Sequence, residues 1–486
     1  MTVGPARVLT RGAPGPDRAA AQPCLPDRWL PGEDAFRRAM ALFRPFEPCP
    51  HLAIAVSGGP DSVALLHFAR RWTAAVGGQV TALTVDHGLR SESAAECAAL
   101  GSRLAARGIP HHRLVWAGRK PATGVQAAAR QARYDLLGRW CEDHNVLHLL
   151  FGHQALDQAE TAAMRAERGS GTAGRAGMSA QLFLPRLRVL RPLLAVSPAD
   201  LRLALRQLGE TWIEDPSNHD HAWRRSRMRH HLKQQDAAAR GGMPDEAAAG
   251  GSAWWLRQAA SAAAMRRSDA CGVAWLAARH VCIDARGFAW LNRWRALSPT
   301  ALTGLLEVLC RCIAGVPYPR LRQADRAATR LIAGAGGATL AGCHVVVRGA
   351  ALLVVREVAR TRPVAARERG RWDGRFAFCL DPAYRQADMA VGALTVAGWS
   401  EVRRLRPDLA RTAPPAPARF SLPALWQADR VLAVPGLGAG SGYLAAGRAI
   451  PPFQRLSFEP PHPVVAAGFS SPDAGLCSPL RKAAIV

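Results

Sequence analysis

The residue types best suited to chemistry form a short loop of glycines, hydroxyls and one carboxylate, Ser57-Gly58-Gly59-Pro60-Asp61-Ser62. Adjacent glycines let the backbone turn sharply and approach a ligand closely. Hydroxyls, loop amides and the N-terminus of a following helix are together typical of a phosphate or pyrophosphate site. Asp61 would repel phosphate unless a cation lay between them, so the same loop predicts Mg²⁺ nearby.

A Walker-type nucleotide loop and a purely structural turn are the alternatives to this interpretation. The loop lacks the lysine of the Gly-x-x-x-x-Gly-Lys-Ser/Thr pattern, which argues against the Walker class. A strand-to-helix turn capped by Asp61 or Ser62 would explain the same residues without a ligand. The position of the whole string, directly between an apolar run and a helical pattern, favours the phosphate site.

Short apolar runs alternate with longer helical patterns from residue 51 to beyond residue 153. The alternation predicts an α/β fold, with a doubly wound parallel sheet covered by helices on both faces. Because crossovers between parallel strands are right-handed, all strand C-termini lie at one edge, where ligands bind. The predicted strands are 51–56, 80–85, 112–116 and 148–151, and the predicted helices are 61–76, 92–107, 124–144 and one around Gln158.

Composition divides the chain into five segments. The first is rich in Arg, Pro and Gly and lacks an apolar run of signal-peptide length, which predicts a disordered leader. The α/β domain follows, then a linker rich in Ala, Gly and charge, a helical domain, and a smaller C-terminal α+β region that opens with a hairpin over 338–357. The predicted boundaries are 1–45, 46–233, 234–252, 253–335 and 336–486.

The net charge of +26 predicts a polyanionic partner, and nucleic acid is the first candidate. Lysine occurs only three times among the basic residues, so biased codon usage is the alternative source of the charge. The eleven cysteines include no Cys-x-x-Cys pair, which argues against a zinc ribbon, an iron–sulfur cluster and a disulfide framework. No apolar run reaches the about 18 residues of a membrane span, so we expect a cytoplasmic protein without a membrane partner.

The loop at 57–62 resembles the PP-loop of the N-type ATP pyrophosphatases, which cleave ATP between its α- and β-phosphates and pass AMP to a carbonyl oxygen. That oxygen leaves poorly as hydroxide but readily as AMP. Further strings over residues 51–232 resemble those of the tRNA(Ile)-lysidine synthase family in kind and order. They are Val85-Asp86-His87-Gly88-Leu89-Arg90, the stretches 126–134 and 152–161, Arg168-Gly169-Ser170-Gly171, Gly177-Met178, Arg191-Pro192-Leu193-Leu194, and 212–218 before an Arg cluster.

The resemblance implies a reaction and its participants. ATP, with Mg²⁺, adenylates the C2 carbonyl of the wobble cytidine in the CAU anticodon of tRNA(Ile). The amine of free L-lysine then attacks that carbon and releases AMP. The protein would therefore be an ATP-dependent carbon–nitrogen ligase that modifies tRNA.

Physical considerations assign roles to residues at the loop and at the next strand end. The ATP phosphates and Mg²⁺ would be held by the loop, with Asp61 both a metal ligand and a catalytic residue. Asp86 and His87 lie where the adenosine or the reacting base would sit, unless they are structural caps of a strand end. The predicted ATP-binding set is Ser57, Gly58, Gly59, Pro60, Asp61, Ser62, Asp86 and His87.

Two helical pairs complete the predicted catalytic set. Arg130 and Arg133 would neutralise charge developing on the leaving phosphate, or belong to a solvated helix face, and Arg133 is also a candidate for tRNA binding. Asp157 and Glu160 share a helix face. They would bind Mg²⁺, with Asp157 as the second metal ligand, capture the lysine ammonium or accept a proton from the amine. Acids that merely stabilise a helix N-terminus are the alternative.

A basic string follows the last of the family-like motifs. Its arginines suit the phosphate backbone of tRNA, where each contact adds salt-dependent affinity. A basic surface helix without a ligand is the alternative, and the region 336–486 is a further candidate for tRNA binding. The predicted tRNA-binding arginines of the string are Arg224, Arg225, Arg227 and Arg229.

One position departs from the family pattern. The family has two adjacent acids where this chain has Leu156-Asp157, which puts cation binding or lysine capture in doubt. A catalytically degenerate tRNA-binding protein is therefore one rival interpretation. A tRNA thiolase of the same fold is the other, although Pro60 and the absence of paired cysteines argue against it.

Overall fold

The computed structural model describes most of the chain between residues 32 and 461. No helix in the described part is long and apolar enough to cross a bilayer. The described residues are 32–89, 91–184, 186–213, 224–240, 250–315, 321–437, 443–444 and 452–461.

A six-stranded sheet forms the centre of the first domain, in the order β3-β2-β1-β4-β6-β5. All neighbouring pairs are parallel except β5 and β6, which form an antiparallel edge. This confirms the predicted fold class and its four strands. The strands are β1 (His51–Ala55), β2 (Gln79–Asp86), β3 (His111–Val115), β4 (His148–Phe151), β5 (Gln181–Leu184) and β6 (Leu187–Leu190).

Helices cover both faces of this sheet. Successive residues of β1 point to opposite faces and therefore pack against different helices. Leu52 and Ile54 pack in one core cluster with helices α1, α2, α3 and α7, whereas Ala53 and Ala55 pack in another with α4. The helices are α1 (Glu33–Ala41), α2 (Pro60–Ala75), α3 (Ser93–Ala105), α4 (Val125–Asp143), α5 (Ala155–Glu167), α6 (Thr172–Arg175), α7 (Pro198–Gln207) and α8 (Arg224–Arg240).

Two predicted segment boundaries differ from the structure. The end of the predicted leader is not disordered, because Phe36 and Met40 of α1 are buried and Phe36 stacks on Phe68 of α2 with ring centroids 5.8 Å apart. The predicted linker begins within α8, which continues to residue 240. Residues 1–31 and 241–249 lie outside the described residues.

The second domain combines helices with a five-stranded antiparallel sheet, ordered β7-β8-β11-β10-β9. The predicted hairpin is the meander of β9, β10 and β11, and β8 pairs with β11, with Leu291 opposite Leu352. The predicted boundary at 335 therefore divides one sheet, because the segment predicted as helical contributes two short strands. The elements are α9 (Ser252–His280), β7 (Val281–Asp284), β8 (Phe288–Asn292), α10 (Pro299–Ala314), α11 (Leu321–Ile332), β9 (Gly337–Leu340), β10 (Cys343–Arg348) and β11 (Ala351–Arg356).

The C-terminal region is α+β, as predicted, with two further antiparallel sheets. Their orders are β12-β15-β16-β17-β18 and β13-β14-β19. The elements are β12 (Val364–Ala365), β13 (Arg369–Trp372), β14 (Phe376–Leu380), β15 (Met389–Ala393), α12 (Thr395–Leu405), α13 (Ala416–Phe420), β16 (Pro423–Gln427), β17 (Arg430–Val434), β18 (Tyr443–Leu444) and β19 (Phe453–Phe458).

Candidate active site

A cleft of about 620 Å³ opens at the edge of the first sheet where its parallel strands end. The ends of β1, β2 and β4 form its floor, and residues of α4, α7 and α8 contribute cationic side chains. The sheet topology thus brings together strings that are distant in the sequence. Among the lining residues are Ser57, Asp61, Ser62, Asp86, His87, Arg133, His153, Gln154, Leu156, Arg202, Ile213, Arg229 and Lys233.

The loop between β1 and α2 is held in a conformation that requires glycine. Gly58 has a φ of +84°, and Gly59 is the extended residue before Pro60, the first residue of α2. The Ser62 hydroxyl donates to the Gly59 carbonyl at 2.9 Å and accepts from the Ser57 amide at 3.2 Å. The loop is therefore tied to the helix N-terminus, where backbone amides favour an anion.

Asp61 is the least satisfied carboxylate of the cleft. Its Oδ1 is buried without a hydrogen-bond partner. Burial, and secondly repulsion from Asp157, raise the pKa of Asp61 to about 6. A buried carboxylate oxygen without a donor is costly, so this position fits a cation as its missing partner. No cluster of three or more potential metal ligands occurs in the described residues, so phosphate or water oxygens would have to complete such a site.

Asp86 lines the cleft, but both of its carboxylate oxygens already accept hydrogen bonds from protein groups. One oxygen accepts from the Gly88 amide at 2.9 Å and the Ser93 hydroxyl at 2.6 Å, and the other accepts from Arg113. The hydrogen bond from Ser93, followed by Arg113, lowers the pKa of Asp86 to about 2. This geometry favours the structural cap among the roles that the sequence left open.

His87 and Arg133 offer less satisfied groups to the same cleft. The Nδ1 of His87 is buried without a partner, and its ring meets Trp116 edge-on with centroids 6.1 Å apart. The Arg133 guanidinium lies 5.1 Å from the centroid of Phe151, and burial lowers its pKa. Arg133 therefore lies inside the cleft, whereas Arg130 is exposed over Tyr134 and is not among the lining residues.

The predicted acids and two of the predicted tRNA-binding arginines form one ion cluster between α5 and α8. Glu160 is fully buried and accepts from Arg225 Nε at 2.6 Å and from Arg229 Nε at 2.5 Å. Arg225 also donates to Asp157 at 2.9 Å, and the second oxygen of Asp157 accepts from the Gln154 amide at 3.1 Å. Both acids therefore accept hydrogen bonds from arginines, and Asp157 also accepts one from the amide of Gln154, the N-cap residue of α5.

The four arginines of the basic string consequently face in two directions. Arg224 and Arg227 are exposed, whereas Arg225 and Arg229 turn toward the acids. Their spacing explains the division, because residues four apart share one helix face. Leu156 belongs to the same junction: it lines the cleft and packs in the apolar cluster with Met228 and Leu232 of α8.

Sequence reasoning did not assign roles to several residues of the cleft. Arg202, Ile213 and Lys233 line it, although they are distant from the phosphate loop in sequence. The rarity of lysine could have drawn attention to Lys233. The string Arg191-Pro192-Leu193-Leu194 resembles a family motif, but the sequence assigned Arg191 no role. In the structure Arg191 donates to His153 Nδ1 at 3.2 Å. Burial, and then Arg191, lower the pKa of His153 to about 2, so this ring is neutral.

Comparisons with known proteins agree with this geometry. The family model of the PP-loop domain matches residues 33–236. The tRNA(Ile)-lysidine synthase of Ruegeria pomeroyi is 32% identical over 82% of this chain and 91% of its own length. That of Bradyrhizobium sp. is 46% identical over 39% of this chain, and this chain spans about half of that relative, 54%.

A solved structure of the U34-tRNA thiolase from Methanococcus maripaludis aligns with 47% of this chain and 79% of its own, at 14% identity and a TM-score of 0.38. That similarity is too low to assign an activity. The sequence relatives are decisive, because one of them is matched along nearly its whole length. This chain belongs to the tRNA(Ile)-lysidine synthase family, ATP-dependent ligases built on a PP-loop domain.

Proposed function

We propose that this protein adenylates the C2 carbonyl oxygen of the wobble cytidine in the CAU anticodon of tRNA(Ile) and replaces AMP with free L-lysine in the cytoplasm. The observation that carries the proposal is Asp61 at the phosphate loop, whose Oδ1 is buried without a hydrogen-bond partner in a cleft lined by cationic side chains. Family membership supports the reaction class. The choice of lysine, anticodon and individual residues rests on the resemblance and on the geometry.

The phosphate groups of ATP have a matching surface in the loop. The amides at the start of α2 and the hydroxyls of Ser57 and Ser62 are the donors expected around a pyrophosphate. Arg133 and Lys233 line the same cleft and would offset the charge that develops as pyrophosphate leaves. Because Arg133 is poorly solvated, its attraction for a phosphate is larger than that of an exposed arginine.

Mg²⁺ would be held by Asp61 and Asp157, with the remaining ligands from phosphate and water. Magnesium usually takes one or two carboxylates and keeps several other oxygens, which suits a pair of acids. When bound, it would neutralise charge on the phosphates. Asp61 supplies the free oxygen, whereas both oxygens of Asp157 already have partners among the described residues.

Glu160 is better suited to positioning than to proton transfer. It is fully buried, and each of its oxygens accepts from an arginine. A lysine ammonium would have to displace one of those arginines to reach it. We therefore assign Glu160 the role of holding Arg225 and Arg229 beside the cleft.

The exposed Arg224 and Arg227 would contact the phosphate backbone of tRNA. Both side chains are exposed, and Arg224 also donates to Glu167 at the end of α5 at 2.7 Å. Arg225 and Arg229 would act indirectly by fixing α8. A role of 336–486 in tRNA binding stays part of the proposal.

The test is a pyrophosphate-release assay with ATP, Mg²⁺, L-lysine and CAU-anticodon tRNA. Release that needs both lysine and tRNA supports the proposal, and a requirement for a sulfur donor would support the thiolase. Asp61→Ala should abolish release and leave tRNA affinity nearly unchanged. tRNA binding without turnover in the wild type would instead indicate the degenerate tRNA-binding protein.

A further inference from the structure

A short segment after α7 contacts the phosphate loop at the side of the cleft. This strap, residues 210–213, lies between the end of α7 and the beginning of the undescribed stretch before α8. We propose that Ile213 of the strap is a positioning residue that sets the conformation of the phosphate loop for ATP. The inference rests on the proposed use of ATP and adds a residue outside the loop to it.

Ile213 touches the loop at its most constrained residue. The Ile213 amide donates to the Gly58 carbonyl at 2.9 Å. A Cβ at position 58 would lie only 2.9 Å from Ile213 Cδ1, so the side chain rests directly on the glycine. Gly58 has a φ of +84°, a value that glycine adopts without strain. Because glycine has no Cβ, this residue has more accessible backbone conformations than any other residue type would have. The contact from Ile213 selects one of them.

The hydrogen bond has a consequence for the anion site. In a trans peptide the carbonyl and the following amide point in opposite directions. Holding the Gly58 carbonyl against Ile213 therefore turns the Gly59 amide away from the strap, and Gly59 lines the cleft. The orientation of one candidate phosphate donor is thus determined from outside the loop.

The strap is itself fastened to the helices that flank the loop. Arg103 of α3 donates to the Thr211 carbonyl at 2.7 Å and to its hydroxyl at 2.8 Å. Glu210 pairs with Arg107 at 2.6 Å and with His67 of α2 at 3.3 Å. Such anchoring gives Ile213 a defined position, which a flexible connection between α7 and α8 would not provide.

The primary experiment measures MgATP affinity by calorimetry and, in parallel, steady-state pyrophosphate release at saturating tRNA and lysine. Ile213→Ala keeps the amide of residue 213 but removes the side chain that packs on Gly58. It should raise the Kd and the KM for ATP about tenfold, because a loop that can leave this conformation loses aligned donors. The kcat and the KM for lysine should change little, and Ile213→Val should restore most of the loss. Ile332→Ala is the control, since Ile332 is 53% exposed and distant in sequence from the strap.

Arg103→Ala provides a second variant at the surface and should weaken ATP affinity in the same direction but less. Wild-type ATP affinity in both variants overturns the proposal. So does a fall in kcat with every KM unchanged, which is the mark of a smaller folded fraction. Because the Kd for MgATP needs no turnover, the strap is tested even if the wild type releases no pyrophosphate, a result that would contradict the proposed function alone.

Discussion

Two clusters of buried acids and arginines lie in different domains of this protein, and they differ in whether every carboxylate oxygen has a hydrogen-bond donor. In the C-terminal region Arg375 is fully buried, and both it and Arg356 donate to Asp373 at 2.7–3.0 Å. Every oxygen of that carboxylate has a donor. Beside the cleft, Glu160 and Asp157 are similarly paired with arginines, but Asp61 retains a buried oxygen without a partner.

The difference separates a structural cluster from a site prepared for a ligand. Buried charges are ordinarily compensated within the fold, because an unpaired one costs several kcal/mol. The carboxylate of Asp373 follows that rule, although Nη2 of Arg375 is buried without a partner, and the cluster closes the turn between β13 and β14. The cleft departs from it at Asp61, the residue that would contact the cation and phosphates. Functional sites retain such destabilising groups because the ligand supplies the missing partner.

The largest stability effect is expected in the structural cluster. Asp373→Asn keeps the turn, because asparagine tolerates the φ of 50° at this position, but it removes the charge that Arg375 and Arg356 share. The loss should be about 3–5 kcal/mol in urea unfolding. Asp408→Asn, which breaks a surface pair with Arg406, should leave the unfolding midpoint unchanged. Similarly small losses of stability in both variants would show that the buried Asp373 pairs contribute no more to stability than a surface pair.

A smaller loss is expected when the cluster beside the cleft loses one arginine. Arg225→Ala should destabilise the protein by about 2–3 kcal/mol, because Glu160 is left buried with Arg229 alone. Arg224→Ala is the matched control. It breaks an exposed pair with Glu167 and should cost less than about 0.5 kcal/mol. Equal losses in these neighbouring variants would show that burial of Glu160 is unimportant.

Removing the charge of Asp61 should stabilise the free protein while it abolishes catalysis. The folded pKa of about 6 lies above the unfolded value, so the cost of ionisation is fully present above about pH 6 and disappears below about pH 4. Asp61→Asn should therefore gain about 1–3 kcal/mol at pH 8 and nothing at pH 3.5. Thermal unfolding across this range is the measurement. A loss of stability at pH 8 would refute the claim that the charge of Asp61 destabilises the free protein. Added MgATP should stabilise only the wild type.

The smallest effect concerns the exposed side of α8. Arg227→Ala should weaken tRNA binding modestly and reduce the slope of log K against log salt by about one. Arg225→Ala, if folded, should leave that slope unchanged, because its guanidinium is engaged by Asp157 and Glu160. Filter binding over a salt series distinguishes the two. A flatter slope in Arg225→Ala alone would show that Arg225, and not Arg227, contacts the tRNA backbone.

Much of the first domain was predictable, because its signals are local. Apolar runs followed by helical periodicity defined β1 to β4, and the Ser57–Ser62 string marked the turn between β1 and α2. The helix α1 was missed because the composition of the preceding residues dominated the interpretation. The strands β7 and β8 were missed because short apolar runs resemble pieces of a buried helix.

The site was predictable at its loop and less so around it. Asp61 was identified from its neighbours alone, but the burial that raises its pKa depends on packing. The pairing of Arg225 and Arg229 with Glu160 joins residues 65 and 69 positions apart. Nothing in the spacing of the arginines favoured an inward over an outward orientation before the position of α8 was known.

By itself, the sequence determined the class of chemistry, because a phosphate loop needs particular residues at adjacent positions and its periodic flanks specify strand and helix. Only the tertiary structure decided which charges are compensated and which remain available. Compensation depends on distances between residues of different elements, and on burial that no short stretch of chain determines. Asp61, Arg133 and Ile213 acquire their proposed functions at that level.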